Sequence, residues 1–221
     1  MAEGRTIAIG DIHGCATALE TLLDALDLAS SDTLVMLGDA IDRGPDSRAV
    51  LEQLLEVGKR CQFVPILGNH EQMLLDAFAN RVPMQDWLMH GGAETLDSYG
   101  KDAALSAVPE VHQEFIRSWG DYHETESHFF AHGNYLSECA LASQPWEIMR
   151  WRSLKFSVPA MHESGKTAIL GHTANKQGKV IDQGYFICID TYCHGGKWLT
   201  ALDPATGKIW QTNNEGKLRA G

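Results

Sequence analysis

Basic residues are scarce in this 221-residue chain: 18 Lys and Arg stand against 29 Asp and Glu, a formal net charge of −11. A protein that clamps a nucleic-acid backbone needs a basic footprint, so that class is disfavoured from the outset. Long apolar runs are missing too. The first run, Thr6 to Ile9, is far below the ~18 residues of a membrane span, and no signal peptide is visible, so no membrane partner is expected. Cys15, Cys61, Cys139, Cys188 and Cys193 are odd in number, scattered and without a CxxC pair, which argues against a disulfide framework or a cysteine zinc site. A reduced, cytoplasmic setting is the expectation. Low-complexity tracts are absent, and 44% apolar residues with six Trp can bury a core, which excludes wholesale disorder. One domain over residues 1–221 is the default for this length.

What is present is a theme stated three times. A short apolar run, a turn rich in Gly, Asp and His, and a helical pattern follow one another in the first seventy residues. Thr6–Ile9 enters Gly10-Asp11-Ile12-His13-Gly14, Thr33–Leu37 enters Gly38-Asp39-Ala40-Ile41-Asp42-Arg43-Gly44, and Phe63–Leu67 enters Gly68-Asn69-His70-Glu71. Between them, Leu19, Leu22, Leu23 and Leu26, then Val50, Leu51, Leu54 and Leu55, take the spacing of an amphipathic helix face. This alternation predicts βαβ units on a parallel sheet. Residues 85–122 read as a helical insertion, and strands are predicted at His128–Ala131, Thr167–Leu170, Tyr185–Ile189, Trp198–Leu202 and Ile209–Thr212. Residues 214–221 read as a frayed tail.

The polar clusters share one position, directly after a predicted strand. In an open α/β sheet, side chains at the carboxyl ends of strands converge on one crevice. Asp11, His13, Asp39, Asn69, His132 and His172 all stand there, and two carboxylates, one carboxamide and three imidazoles suit a pair of borderline divalent metals. Two such ions roughly 3.5–4 Å apart share a bridging hydroxide and lower the pKa of water. Asp39, 28 residues after Asp11 and 30 before Asn69, is placed to bridge them. His70 is free to protonate a leaving oxygen, with Asp42 to orient it. Arg43 offers a planar fork that suits phosphate.

In this order and spacing, the three motifs resemble the signatures of the phosphoprotein phosphatase family of metallophosphoesterases. His132 and Gly171-His172-Thr173 are similar to its remaining metal histidines, so the resemblance runs from about Thr6 to Thr200. The stretch Gly91 to Gly100 and Ile189-Asp190-Thr191 look like the bacterial and phage branch. The resemblance implies an α/β fold, a two-sheet α/β/β/α sandwich of the calcineurin-like metallophosphoesterase type. It also implies a second phosphate-binding arginine after a Trp: Arg152 is the expected residue and Arg150 its rival. Leu67 and Leu170 stand where eukaryotic-type members carry basic residues, and Tyr192 stands where the family commonly has Gly; none of these removes a ligand.

The expected function is a dimetal-dependent phosphomonoesterase acting on phosphoserine or phosphothreonine, with phosphotyrosine also open, through direct attack of a metal-bridging hydroxide. A symmetrical dinucleoside-tetraphosphate hydrolase is the alternative. Manganese is the expected metal, and iron or zinc suit the same donors. A metal-bound but inactive interaction module is disfavoured because His70, Asp42 and Arg43 are all present. A nuclease is disfavoured by the acidic balance. His90, His112, His123, His128, His162 and His194 are expected to be structural, the Trp residues to be mostly core, and the protein to be monomeric without a nucleic-acid partner. The charge of −11 thus excludes a broad polyanion surface but leaves room for one small cationic pocket.

Overall fold

A computed structural model describes residues 4–219 of the chain. Three strand-helix units open it: β1 (Thr6–Ile9), α1 (Ala16–Leu26), β2 (Thr33–Met36), α2 (Ser47–Val57), β3 (Gln62–Pro65) and α3 (Asn69–Phe78). Three short helices follow, α4 (Met84–Trp87), α5 (Ala93–Tyr99) and α6 (Glu110–Arg117), and then β4 (Tyr122–Glu124), β5 (His128–Ala131) and α7 (Trp146–Trp151). The chain ends in β6 (Thr167–Leu170), β7 (Ile181–Asp182), β8 (Phe186–Cys188), β9 (Leu199–Asp203) and β10 (Lys208–Thr212). The helices form where the leucine spacing says they should. Leu19, Leu22, Leu23 and Leu26 make the buried stripe of α1, and Val50, Leu51, Leu54 and Val57 that of α2. The start of α2 is fixed by Asp46, whose carboxylate accepts from the N–H of Ala49 at 2.9 Å.

The strands make two five-stranded sheets, ordered β10-β9-β1-β2-β3 and β4-β5-β6-β8-β7. Each has three parallel strands at its heart, β1, β2 and β3 in one and β5, β6 and β8 in the other, with antiparallel strands outside. Side chains alternate across each strand, and the alternation sorts residues into three apolar layers. Ile7, Ile9, Leu34 and Met36 face α1 and α2, while Ala8 and Val35 face the second sheet. From that sheet Phe130 and Ile169 meet them, and Phe129, Ala131, Ala168 and Leu170 point outward to Tyr135, Met149 and Leu154. This is the two-sheet α/β sandwich that the family resemblance implies. Face-to-face stacking brings the carboxyl ends of six parallel strands to one edge.

Three expectations need correction. The segment read as helical over 85–122 has its last helix end at Arg117, and Tyr122 already belongs to β4, paired antiparallel with β5. The two-residue β7 is too short to leave a pattern and exists through its pairing with β8. The tail is not frayed through residue 219. Asn213 accepts from Glu215 and Lys217, and Arg219 bonds Gln211 and lies over the Trp198 ring at 5.3 Å; residues 220–221 lie outside the described residues. Among the described residues, no helix is long and apolar enough to cross a membrane.

Candidate active site

The turns after β1, β2, β5 and β6, together with the loop leading from β3 into α3, carry the predicted donors to the shared edge. Reaching one point forces the backbone into costly shapes. His13, Asp39, Asp42, Arg43 and His172 all adopt positive φ, between 46° and 72°, and make up five of nine such non-glycine residues among those described. Each costs on the order of 1–3 kcal/mol, which concentrates strain at this edge. Gly38 (φ 93°) shows why a side chain is excluded nearby: a Cβ there would lie 2.8 Å from His132 Nδ1.

The outer nitrogen of each imaginable ligand histidine is pinned by an acceptor. His13 Nδ1 lies 2.9 Å from the Ile41 carbonyl, His132 Nδ1 2.6 Å from the Leu37 carbonyl, and His172 Nε2 3.1 Å from the Trp151 carbonyl. A carbonyl cannot donate, so these outer nitrogens carry protons, and the inner nitrogens are the ones that can offer lone pairs to a cation. Those inner nitrogens converge on acceptors. His13 Nε2 is 3.5 Å from Asp39 Oδ2 and His132 Nε2 3.4 Å from Asp39 Oδ1. His132 Nε2 and His172 Nδ1 sit 3.0 and 2.9 Å from Asn69 Oδ1. Inner nitrogens gathered against carboxylate and amide oxygens, with the outer protons held by carbonyls, are what a cation site requires. His13, Asp39 and His70 form one group of donors within 4.8 Å of each other, and Asp39, His132 and His172 form another, with Asp39 common to both. Asp11 lies outside these two groups, but its carboxylate is 3.0 Å from the His172 N–H and so borders the second.

Electrostatics follow the same centre. Burial alone would raise Asp39, yet the His132, His70 and His13 rings hold it well below the usual carboxylate range. Burial opposes charge on His132, but Asp39 beside it pushes this ring up to about 10, so its inner nitrogen shares a proton with Asp39 that a bound cation would displace. His172 is pushed down to about 4 by burial and by the charge on His132. Burial drives Asp11 well up, and the charge of Asp190 adds to it.

His70 behaves differently from the other three rings. Its Nδ1 is 2.7 Å from Asp42 Oδ2, and its Nε2 is buried without a hydrogen-bond partner. Trp87 and Thr95, from the helical segment, both donate to the Asp42 carboxylate. Arg43 is exposed and puts Nη1 2.8 Å from His13 Nε2. Of the two rival arginines, Arg150 has its fork occupied: it bonds Asp121 at 2.5 and 2.8 Å and also contacts Gln72 of α3. Arg152 is exposed.

Sequence reasoning missed four contributors. Glu71 is wholly buried and accepts from the N–H groups of Asp39, Ala40, Ile41 and Gly68, which shapes the Asp39 turn. Trp87 and Thr95 lie 45 and 53 residues from the Asp42 they hold. His194, expected to be structural, lies edge-on to the His13 ring at 4.6 Å. The signal for Glu71 was its place three residues into a helix after Gly68, the capping-box position; the others had no local signal.

Residues 4–184 match the calcineurin-like phosphoesterase family. A symmetrical bis(5'-nucleosyl)-tetraphosphatase of Delftia acidovorans is 34% identical over 163 residues, 70% of this chain and 55% of that protein. Serine/threonine-protein phosphatase 1 of Salmonella typhimurium is 45% identical over 85 residues, 38% of this chain and 37% of its own. A crystal structure of a candidate diadenosine tetraphosphatase matches with a TM-score of 0.72 at 23% identity, covering 96% of this chain and 94% of that one, so the fold is shared. The chain spans about half the length of this Delftia relative. These relatives overturn the expectation of a phosphoserine or phosphothreonine substrate: the match that spans 70% of the chain is to a nucleoside tetraphosphatase, and the protein phosphatase matches only 38%. With the family match running from ahead of β1 to beyond the His172 turn, the chain belongs to the calcineurin-like phosphoesterase family.

Proposed function

We propose that this chain hydrolyses dinucleoside tetraphosphates symmetrically, giving two nucleoside diphosphates. The observation that carries the hydrolytic reading is the set of inner nitrogens of His13, His132 and His172 gathered around Asp39 and Asn69. The Delftia relative supports the substrate class. In this reading Asp11, His13, Asp39, Asn69, His132 and His172 hold two divalent ions, manganese by preference. When bound, such ions supply Lewis-acid polarisation and lower the pKa of water.

The chain's own side chains do the rest. Asp42 bonds the His70 Nδ1 and so holds the ring with Nε2 toward the catalytic edge, where it hands a proton to the leaving phosphate oxygen. Trp87 and Thr95 keep Asp42 fixed. Arg43 and Arg152, both exposed, bind phosphoryl oxygens as they gain charge. Incubating the Mn²⁺-loaded protein with diadenosine tetraphosphate and separating the nucleotides tests this. ADP as the sole product is expected; ATP with AMP, or no turnover, would refute it.

A further inference from the structure

The Trp residues were expected to be mostly core, yet Trp151 is 42% exposed, and it opens a segment with further exposed apolar side chains: Phe156 at 91%, Val158 at 63% and Met161 at 62%. Exposure here is not looseness, because the backbone is tied down along its length. The Trp151 carbonyl accepts from His172 Nε2, and the Leu154 N–H donates to Thr173 Oγ1 at 2.9 Å. Asn134 Nδ2 donates to the Ser157 carbonyl at 2.8 Å, and the Tyr135 hydroxyl to the Ala160 carbonyl at 2.9 Å. A fixed backbone presenting bare aromatics is a preformed surface, and this one begins a single hydrogen bond from a donor of the candidate metal site.

Its charge sets it apart from the rest of the chain. Residues 148–162 contain Arg150, Arg152 and Lys155 and no Asp or Glu, in a protein of net charge −11. Arg150 is committed to Asp121, which leaves Arg152 and Lys155, both exposed, interleaved with Trp151 and Phe156. Aromatic faces alternating with cations suit a ligand made of a flat base joined to phosphates. We propose that this segment seats one nucleoside half of the substrate, with Trp151 and Phe156 contacting the base and Arg152 and Lys155 holding the phosphates between base and catalytic centre. A phosphopeptide would use the apolar side chains and one phosphate at Arg152, but gives no reason for Lys155 beside them.

The inference rests on the dinucleotide reading, and one set of measurements separates the two. On the metal-loaded protein, the dissociation constants of ADP and inorganic pyrophosphate are compared by calorimetry in the wild type, Phe156→Ala, Trp151→Ala and Trp151→Phe, alongside turnover of diadenosine tetraphosphate. Base contact predicts ADP binding about 10-fold tighter than pyrophosphate, and a loss of about 10-fold in ADP affinity for each alanine variant. Pyrophosphate affinity should not move, Trp151→Phe should keep most of the ADP affinity, and KM should rise with kcat held. If the wild type turns over the dinucleotide but the alanine variants bind ADP normally, the seat is wrong and the function stands. If the wild type ignores the dinucleotide, the function fails first. If these variants instead lose phosphoserine-peptide turnover, the surface seats a peptide and the proposal is overturned.

Discussion

His70 Nδ1 lies 2.7 Å from Asp42 Oδ2, and both residues are fully buried. A buried carboxylate of this kind is tolerable only if its oxygens are satisfied, and Trp87 Nε1 at 2.9 and 3.1 Å and Thr95 Oγ1 at 2.7 Å do so. The imidazole is thereby locked with one nitrogen on Asp42 and the other facing the catalytic edge. Replacing His70 with Asn should lower turnover by about 10²–10⁴, the usual worth of a positioned acid. Bound metal, measured on the same samples, should stay at the wild-type level; loss of metal with the activity would make His70 a ligand instead.

Trp87→Phe keeps an aromatic ring in this fully buried position, though a smaller one, and removes the indole N–H shared by both Asp42 oxygens. A lost bond to a buried charged group costs about 1.5–3 kcal/mol, so the variant should unfold at lower urea. Looser positioning of His70 should also reduce kcat about 10-fold with little change in KM. Normal kcat in a destabilised Trp87→Phe would show that the tryptophan only fills space.

The contrast between His13 and Trp87 shows what the sequence could reveal. His13, Asp39 and Asn69 each sit within a few residues of the strand that delivers them, so strand pattern and turn chemistry place them without knowledge of the sheet order. Trp87 and Thr95 reach Asp42 across 45 and 53 residues, and nothing local marks a tryptophan as a donor to a distant carboxylate. Similarly β4 exists because β5 pairs with it, and β7 because β8 does. That the Arg150 fork is taken up by Asp121 was likewise invisible locally, because the partner lies 29 residues away.

At the opposite end of the strands, Asp32 predicts a pH response unrelated to catalysis. Its carboxylate accepts from the Arg5 side chain and backbone and from the Ala29 N–H. The Arg5 hydrogen bonds hold Asp32 below its usual pKa, although its burial works the other way. The unfolded chain therefore takes up this proton first, near pH 3.9. The contact stabilises fully above that value and is lost as pH falls through the lower folded value. Arg5 stays about a third exposed, so screening limits the worth to about 1 kcal/mol. Asp32→Asn should be less stable by that amount at pH 7, and the difference from wild type should close on acidification below about pH 4. A constant difference across urea titrations at pH 7 and pH 3 would remove the ionic contribution.

Asp39 carries the sharpest consequence, because one carboxylate serves both donor groups. Its Oδ2 faces His13 and His70, at 3.5 and 4.0 Å, and its Oδ1 faces His132 at 3.4 Å. Each oxygen thus faces a different group of imidazole nitrogens, and the negative charge between the groups would offset two cations held there. Asp39→Asn keeps the shape but removes that charge, and its amide nitrogen turns a donor toward imidazole nitrogens that already present lone pairs. Both sites should weaken together, so metal analysis after dialysis should fall from two ions per chain to below one, with turnover lost in parallel. Retention of one tightly bound ion would mean that Asp39 belongs to a single site and that the bridging role fails.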